Sequence, residues 1–238
     1  MTHSTTEPIV AGLLLAAGGG RRLGGRPKAL LSHHGRPLIE HALRALHEGG
    51  CGPVHIVLGA AADRVRTEAD LPGAVLVDNP HWADGMGSSL RAGLESLAGT
   101  AADAALVCLV DQPGIGAPAV ARIRSTLLSR YDRESRYERH GWAGREGRHD
   151  REGDPGPTDG VPAALIAASY DGERGHPVLL GADHWRAVAA SAVGDRGARA
   201  YLAGHASALT LVECGDIAEG YDIDTPEDLV HLDRHPPH

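Results

Sequence analysis

The sequence predicts an α/β fold with three layers, α/β/α, in which a mainly parallel sheet lies between two layers of helices. Segments with strand character alternate with segments of helical apolar spacing along most of the 238-residue chain. The strand segments, such as residues 9–17 and 104–110, are continuous apolar runs, which is typical of strands that are buried on both faces. The first run leads directly into a glycine-rich, cationic loop. These observations predict a ligand site at the carboxyl end of the sheet.

The elements of the first half follow one another in a regular order. Apolar residues at helical spacing between positions 38 and 46 predict a helix that ends at Gly49 and Gly50. Strand and helix segments then alternate three more times. We expect strands at 54–58, 74–77 and 104–110, and helices at 63–69, 88–97 and 118–128.

Residues 130–160 interrupt this order, because Arg, Glu, Asp, Gly and Pro dominate and apolar residues almost disappear. We expect a flexible charged insertion within a single domain that spans residues 1–238, since strand character returns at residues 162–169. Acidic and basic residues are interleaved, which favours a solvated loop over a tail that binds nucleic acid. Further strands are expected at 176–180 and 208–212, and helices at 183–190 and 197–204.

Composition and charge argue against several classes of protein. A net charge of −8 argues against general nucleic-acid binding, so a phosphorylated ligand would need a local basic pocket. Cys51, Cys108 and Cys214 are far apart and indicate neither a zinc site nor a disulfide framework. The apolar run at residues 9–17 is too short to cross a membrane. We therefore expect a cytoplasmic protein without a membrane partner.

The loop after the first strand carries the strongest functional signal. Gly18, Gly19 and Gly20 precede two arginines, two further glycines and Lys28. Glycine lets the backbone approach a ligand closely, and consecutive N–H groups in such a loop bind anions. The loop matches neither the P-loop nor the dinucleotide fingerprint, because its glycines lack the neighbours that those motifs require. An ordinary surface turn would not need so many glycines and cations, so we interpret the loop as a phosphate site.

Three aspartates are candidates for a magnesium site. Asp111 follows an apolar strand, at the end where ligand crevices form in parallel sheets. Asp222 and Asp224 are two residues apart, so they point the same way in an extended segment. Mg²⁺ uses few carboxylates together with phosphate oxygens and water, which suits these aspartates. The alternative is that they only cap turns or the last helix, although Thr225, with Pro226 and Asp228 after it, already resembles a capping box.

Two polar segments complete the set of candidates. Asn79, Gly85, Ser88 and Ser89 lie before or at the start of a predicted helix, where serine can cap the helix and the backbone can meet a base or a phosphate. A lone histidine is more often structural, but His176 stands beside an arginine and a glycine that suit substrate contact. The other candidates for contact with a second substrate are Arg174, Gly175, Arg196 and Gly197.

Taken together, these segments resemble the molybdenum cofactor cytidylyltransferase branch of the molybdopterin nucleotidyltransferase family, whose domain is the MobA-like NTP transferase. The pattern Leu-Ala-Ala-Gly-x-x-x-Arg-x-Gly-x-x-x-Lys that ends at Lys28 is similar to the loop of the whole GT-A-like superfamily. The motifs Gly85-Met86-x-x-Ser89-Leu90, Asp-Gln-Pro from residue 111 and Arg-Gly-His-Pro from residue 174 are more specific. The insertion is longer than this resemblance leads us to expect. The resembling segments are residues 13–28, 79–93, 111–113, 172–180, 194–199 and 221–229.

The resemblance implies a Rossmann-like GT-A-type fold and a magnesium-dependent transfer of CMP from CTP to the phosphate of molybdopterin-bound molybdenum cofactor, with release of pyrophosphate. It implies catalytic roles for Arg22, Lys28 and Asp111, and metal binding by Asp111 with Asp224 as first choice and Asp222 as second. A molybdoenzyme or its maturation factor would receive the product. Nucleotide contacts are expected from Leu15, Ala16, Ala17, Gly18, Gly19, Arg22, Lys28, Asn79, Gly85, Ser88, Ser89 and Asp111, and acceptor contacts from Arg174, Gly175, His176, Arg196 and Gly197.

Two other functions remain open on the sequence alone. The same loop and acids would serve a nucleotidyltransferase that uses GTP, or one with a sugar- or organic-acid-phosphate acceptor. A non-catalytic cofactor-binding protein on the same fold is the second alternative. The simultaneous presence of Arg22, Lys28, Asp111 and Asp224 argues against it.

Overall fold

A seven-stranded sheet forms the centre of the protein in the computed structural model, which describes residues 7–141 and 160–233. A separate two-stranded hairpin packs beside it. The strands of the sheet are β1 (Val10–Ala16), β4 (Val54–Leu58), β5 (Ala74–Asp78), β6 (Ala104–Leu109), β7 (Leu165–Tyr170), β8 (Glu173–Gly181) and β9 (Leu209–Glu213), and the hairpin consists of β2 (Ser32–His33) and β3 (Arg36–Pro37). The helices are α1 (Leu38–Glu48), α2 (Ala62–Glu68), α3 (Met86–Leu97), α4 (Ala117–Gly141), α5 (Ala182–Ser191) and α6 (Arg199–Gly204).

Helices cover both faces of the sheet, so the prediction of three layers is confirmed. Every residue of β1 is buried, which explains why its sequence shows no polar alternation. Leu14 points into the core that α1 and α4 close, whereas Leu13 and Leu15 point into the core that α3 and α5 close. The two cores consist of Leu, Ile, Val and Ala with few aromatic rings, as the composition requires.

The strand order is β5-β4-β1-β6-β8-β7-β9, which places the ends of β1 and β6 side by side. The chain leaves β1 for β4 and β5, and then builds β6 on the other side of β1. An open parallel sheet forms a crevice at such a point, beyond the carboxyl ends of its strands. The glycine-rich loop leaves β1 at this point, and Asp111 follows β6.

The sheet is mainly parallel, as predicted, and β8 is its one antiparallel strand among the described residues. β7 and β8 are joined by Asp171 and Gly172, both with positive φ (52° and 82°). An Asp-Gly pair with this geometry is the usual connection of a tight hairpin. The hairpin returns the chain to β6 and brings Arg174 and His176 to the crevice.

The prediction of a loop that begins at residue 130 is wrong for residues 130–141, because α4 continues to Gly141. The chain contains neither glycine nor proline from residue 119 to residue 140, and Arg and Glu are good helix formers, so an apolar face is not needed to extend the helix. The start of the extension is also anchored. Arg130 hydrogen-bonds the Thr210 hydroxyl, and Tyr131 packs against the core. The remainder of the predicted insertion, residues 142–159, lies outside the described residues.

Candidate active site

A cavity of about 970 Å³ opens at the carboxyl ends of β1 and β6. Its first wall is formed by the glycine-rich loop, Asp111 and the segment 220–224, and its second wall by β8 and the segment 194–199. Most residues predicted from the sequence line this one cavity. They are Leu15, Ala17, Gly18, Gly19, Arg22, Lys28, Gly85, Ser89, Asp111, Arg174, Gly175, His176, Arg196, Gly197, Asp222 and Asp224.

The glycine-rich loop owes its shape to Gly20. This residue has φ of 61°, and a Cβ built on it would lie 1.8 Å from the Arg26 carbonyl oxygen, so no other residue fits without a shift of the backbone. Its carbonyl accepts hydrogen bonds from the N–H groups of Leu23 and Gly25. Gly18 has no heavy atom within 4 Å of the place where its Cβ would be, which leaves that side of the loop open to a ligand. The loop therefore closes on itself and keeps a free face.

Lys28 joins the glycine-rich loop to two of the predicted metal ligands. Its Nζ lies 2.6 Å from Asp111 Oδ2 and 2.5 Å from Asp224 Oδ1. The side chains of Lys28 and Asp111 are only 15% and 19% exposed. Burial acts to lower the pKa of Lys28, but the charges and hydrogen bonds of the two carboxylates outweigh it and raise the pKa above its ordinary 10.5. Lys28 is therefore a fixed cation between two carboxylates.

The segment that carries Asp222 and Asp224 is tied to β6 through its backbone. The N–H of Ile223 donates to the Asp111 carbonyl at 2.8 Å, and the Ile223 side chain is fully buried. Asp228 accepts hydrogen bonds from the N–H groups of Asp224 (3.0 Å) and Thr225 (2.8 Å) and from the Thr225 hydroxyl (3.0 Å), so only one of the two bonds of the predicted capping box forms. Residues more than a hundred positions apart are thus brought to one point.

Asp222 differs from Asp224 in its surroundings. Its carboxylate accepts a hydrogen bond from Gln112 Nε2 at 2.7 Å. Burial and the nearby negative charge of Asp111 raise the pKa of Asp222, and the hydrogen bond from Gln112 opposes this only in part. The oxygens of Asp111 and Asp224, in contrast, already converge on a cation. The order of Asp224 before Asp222 as a metal ligand stays a prediction.

The donor set at Asp111 and Asp224 fits a hard divalent cation. Two carboxylate oxygens point at one place, and Mg²⁺ in phosphate-handling sites typically takes one or two carboxylates plus phosphate oxygens and water. A complete protein cage is not present in the described part of the chain, where no three His, Cys, Asp or Glu side chains are arranged to hold a metal. The site therefore suits a metal that arrives with phosphate.

Ala16, Asn79 and Ser88 do not line the cavity. Asn79 is buried, and its Nδ2 donates to the hydroxyls of Ser88 (2.9 Å) and Ser89 (3.0 Å). The expectation that Ser88 or Ser89 caps the helix is wrong, because α3 begins two residues earlier, at Met86, and neither side chain caps it. Ser88 Oγ instead donates to the Gly85 carbonyl at 2.9 Å. These polar residues hold the loop before α3 in shape, while Ser89 also reaches the cavity.

The second wall carries cations without carboxylate partners. Arg174, Arg196 and Arg199 line the cavity, and none of them takes part in an ion pair within the described residues. Burial, assisted by the charges of Arg199 and Arg174, lowers the pKa of His176 from 6.5 to about 4. His176 is therefore neutral at physiological pH. Sequence reasoning did not single out Arg199, although it falls in the Gly- and Arg-rich segment 194–199.

The start of α3 touches the second wall through glycines. A Cβ on Gly85 would lie 2.6 Å from Asp195 Oδ1, and one on Gly87 would lie 2.7 Å from the Ala192 backbone. The loop before α3 and the first turn of α3 are therefore packed directly against the segment 192–197. Gly175 also serves internal packing, since a Cβ there would meet the Tyr170 ring at 2.7 Å. The glycine predicted to let a ligand approach His176 thus also makes room for an aromatic ring.

Sequence reasoning also missed the apolar lining of the cavity. Trp82 stands over the glycine-rich loop, where a Cβ on Gly19 would meet its ring at 3.1 Å. Most of these side chains belong to the core and carry no motif, so only the fold reveals that one end of each reaches the cavity. The others without a motif are Val107, Leu109, Val110, Val178, Leu180 and Leu202, whereas Met86 and Leu90 stand in the motif that begins at Gly85.

Fold and site together are those of a nucleotidyltransferase. A family model described as the MobA-like NTP transferase domain matches residues 12–209, and the chain belongs to this family. The resemblance read from the glycine-rich loop and the later motifs is thereby confirmed at the level of the family. Within the described residues, no helix is both long enough and apolar enough to cross a membrane, and Cys51, Cys108 and Cys214 are free.

Three similar proteins differ in name. The chain is 38% identical over 228 residues to nicotine blue oxidoreductase of Paenarthrobacter nicotinovorans, with 96% of this chain and 98% of that one covered. It is 38% identical over 102 residues to molybdenum cofactor guanylyltransferase of Acidiphilium cryptum, with coverage of 42% and 50%. The structure of Rv0371c from Mycobacterium tuberculosis in complex with manganese has the same fold, with a TM-score of 0.65, 22% identity and coverage of 95% and 98%.

Proposed function

We propose that this protein transfers CMP from CTP to the phosphate of molybdopterin-bound molybdenum cofactor and releases pyrophosphate. The observation that carries the proposal is the convergence of Lys28, Asp111 and Asp224 at the end of an anion-binding loop. Nucleotidyl transfer between phosphates depends on positioning and charge neutralisation and needs no protein nucleophile. The buried thiols of the three cysteines would not serve as one.

The first wall would hold the nucleotide. Backbone N–H groups of the glycine-rich loop would receive the triphosphate, with Arg22 and Lys28 as its counter-charges. A phosphate oxygen of the acceptor attacks the α-phosphorus, and the bond between this phosphorus and the oxygen that bridges to the β-phosphate breaks. That oxygen keeps the electron pair and leaves as part of pyrophosphate, whose charge Lys28 would balance.

The second wall would hold the acceptor. Arg174 and Arg196 offer guanidinium forks that match a phosphate, and neutral His176 offers a hydrogen bond. Gly175 and Gly197 line the cavity beside them. The cavity of about 970 Å³ lies at the upper end of the range for small-molecule sites, which suits two substrates held together.

A divalent cation, for which we propose Mg²⁺, would be held by Asp111 and Asp224, with Asp222 as the second choice. When bound, it would neutralise phosphate charge and polarise the phosphorus–oxygen bonds. The manganese complex of Rv0371c supports the use of a divalent metal on this fold. We further propose that one domain of residues 1–238 acts in the cytoplasm and passes its product to a molybdoenzyme or its maturation factor.

A screen tests this proposal. The purified protein is incubated with each of the four NTPs and with molybdopterin-bound cofactor, a sugar phosphate or an organic-acid phosphate, and pyrophosphate is measured with and without Mg²⁺. We expect release to require CTP, the molybdopterin acceptor and Mg²⁺ together. Pyrophosphate release with GTP, as the name of the Acidiphilium relative would suggest, would contradict CTP as the nucleotide. Release with a sugar phosphate would contradict the molybdopterin acceptor.

A second candidate function is oxidoreduction of nicotine blue. It is favoured by the relative named nicotine blue oxidoreductase, which matches 96% of the chain, whereas the guanylyltransferase match covers 42%. Apolar side chains such as Leu90 and Leu180 line the cavity and would suit a substrate with apolar surface. Consumption of NADH or NADPH in the presence of nicotine blue, without pyrophosphate release from any NTP, would favour this candidate over the first.

A further inference from the structure

We propose that Lys28 occupies the place of the divalent cation until the phosphates of a nucleotide draw it away, so that metal binding depends on nucleotide binding. This inference rests on the proposed function, which places the metal between Asp111 and Asp224. It adds an order of events that neither the family nor the site residues by themselves imply.

The geometry leaves no room for both cations. The Lys28 ammonium lies 2.6 Å from one carboxylate oxygen and 2.5 Å from the other, in the space between them. A magnesium ion held by the same two oxygens would lie about 2.0–2.1 Å from each, within the volume that the ammonium fills. The metal can bind between these two oxygens only after the lysine side chain has moved.

Moving Lys28 without a new partner is unfavourable. Its side chain is 15% exposed and that of Asp111 is 19% exposed, so the ammonium would lose two charge-assisted hydrogen bonds at a largely buried position. An uncompensated buried charge is strongly unfavourable in typical proteins. A bare metal ion must overcome this cost, and its affinity is lowered accordingly.

A nucleotide supplies the missing partner. Lys28 stands at the end of the glycine-rich loop, whose open face at Gly18 would receive phosphates. Phosphate oxygens offer the ammonium a new anion and free Asp111 and Asp224 for the metal. Coupling of this kind is reciprocal, so the metal should raise nucleotide affinity by the same factor. Arg22 does not fill this place, because its side chain is 76% exposed. Its shortest distance to Asp224, 3.5 Å, is also longer than the two contacts of Lys28.

Manganese binding to the ligand-free protein tests the inference, with titration calorimetry or the Mn²⁺ electron spin resonance signal as readout. Lys28→Met removes the ammonium and keeps most of the stem, and Lys28→Gln keeps a polar tip. Arg64→Met, which removes an exposed cation paired with Glu68 outside the cavity lining, is the matched control. Without nucleotide, we expect both Lys28 variants to bind Mn²⁺ at least tenfold more tightly than the parent, and Arg64→Met to differ by less than threefold. The gain in Mn²⁺ affinity given by CTP, corrected for Mn²⁺ binding to free CTP, should shrink in the Lys28 variants.

The outcomes separate this inference from the proposed function. Equal Mn²⁺ affinity in the parent and in folded Lys28 variants, with loss of binding in Asp111→Asn, would overturn the role of Lys28 and leave the metal site in place. Absence of Mn²⁺ binding in the parent and the Lys28 variants, with and without CTP, would overturn both. Thermal unfolding of each variant confirms that it is folded before its affinity is compared.

Discussion

The two walls of the cavity differ in how their charges are balanced. On the first wall, Lys28 is bonded to two carboxylates, and Arg22 lies near one of them. On the second wall, Arg174 and Arg199 have no carboxylate partner among the described residues and instead lower the pKa of His176. The first wall is therefore balanced before a ligand arrives, whereas the second keeps an excess of positive charge.

This difference predicts different responses to mutation. Removal of Lys28 or Asp111, whose side chains are 15% and 19% exposed, leaves charged partners unpaired, so it should change metal binding, phosphate binding and chemistry together. Removal of a second-wall group leaves no orphaned partner, so it should weaken one ligand and leave the rest intact. The predictions below test this contrast.

Lys28→Ala should have the largest effect. The variant loses the counter-charge of the leaving pyrophosphate, and loss of one preorganised charge contact typically costs about 10²–10³ in rate. Pyrophosphate release at saturating substrates measures this effect, and thermal unfolding shows whether the fold is intact. Turnover close to that of the parent would remove the loop from the mechanism.

Asp111→Asn should reduce turnover by about 10–100-fold and weaken its dependence on Mg²⁺. This loss is smaller than that of Lys28→Ala because Asp224 remains to hold the metal. Titration of activity with Mg²⁺ in the parent and the variant measures both effects. Asp63→Asn is a matched control, since Asp63 is an exposed carboxylate in the first turn of α2 and lies outside the cavity lining. A Mg²⁺ titration of Asp111→Asn that matches the parent would place the metal elsewhere.

His176→Ala should impair only the use of the acceptor, by about tenfold in KM, which corresponds to the loss of one good hydrogen bond. CTP affinity, measured by equilibrium binding, should stay nearly constant. The pKa of His176 is lowered to about 4, so the imidazole stays neutral above pH 5. Protonation of His176 should therefore cause no change of the acceptor KM near pH 6.5, and the pH profiles of the parent and His176→Ala should have the same shape there. A large loss of CTP affinity would assign His176 to the nucleotide instead.

The last prediction concerns stability, and leaves turnover and affinity near neutral pH unchanged. His41 hydrogen-bonds the Pro113 carbonyl at 3.2 Å, and burial together with His33 and Arg44 lowers its pKa to about 4. His41 is protonated near pH 6.5 in the unfolded chain but only near pH 4 in the folded protein. The free energy of unfolding should therefore fall as the pH drops from 6.5 to 4 and level off below 4. The loss from this group is at most about 3 kcal/mol.

His41→Gln should lessen this loss of stability, with His47→Gln, an exposed residue of the same helix, as control. Urea unfolding at pH 7 and pH 5 gives the two free energies of unfolding. An identical difference between the two pH values in His41→Gln and in the parent would contradict the assignment.

Much of the fold was predictable because its strands are apolar runs and its helices have clear ends. The antiparallel direction of β8 was missed, although Asp171 and Gly172 between two strand segments are a hairpin signal. The extension of α4 beyond residue 128 was missed because charge was interpreted as a loop, whereas Arg and Glu also favour helix. Absence of an apolar face does not by itself end a helix.

The candidate site could be predicted where the residue types themselves indicate binding or catalysis. The glycine-rich loop, Asp111 and Asp224 were found in this way, and the structure brings them together. The bond between Lys28 and both aspartates was not predictable, because it joins positions 83 and 196 residues apart. The role of Asn79 in fixing the serine-containing loop was equally hidden, since a polar residue beside glycines suggests a ligand more readily than an internal hydrogen bond.

The three buried cysteines can be used to detect local unfolding of the protein. Cys51 follows α1, Cys108 lies within β6 and Cys214 follows β9, and burial raises the pKa of each thiol. An alkylating reagent needs an exposed thiolate, so each site is labelled only when its surroundings open. Short pulses of reagent in rising urea, read by mass spectrometry, would show whether the two ends of the sheet separate at the same moment. Simultaneous labelling would mean that the two walls of the cavity belong to one cooperative unit, and early labelling of Cys214 alone would mean that the β9 edge opens first.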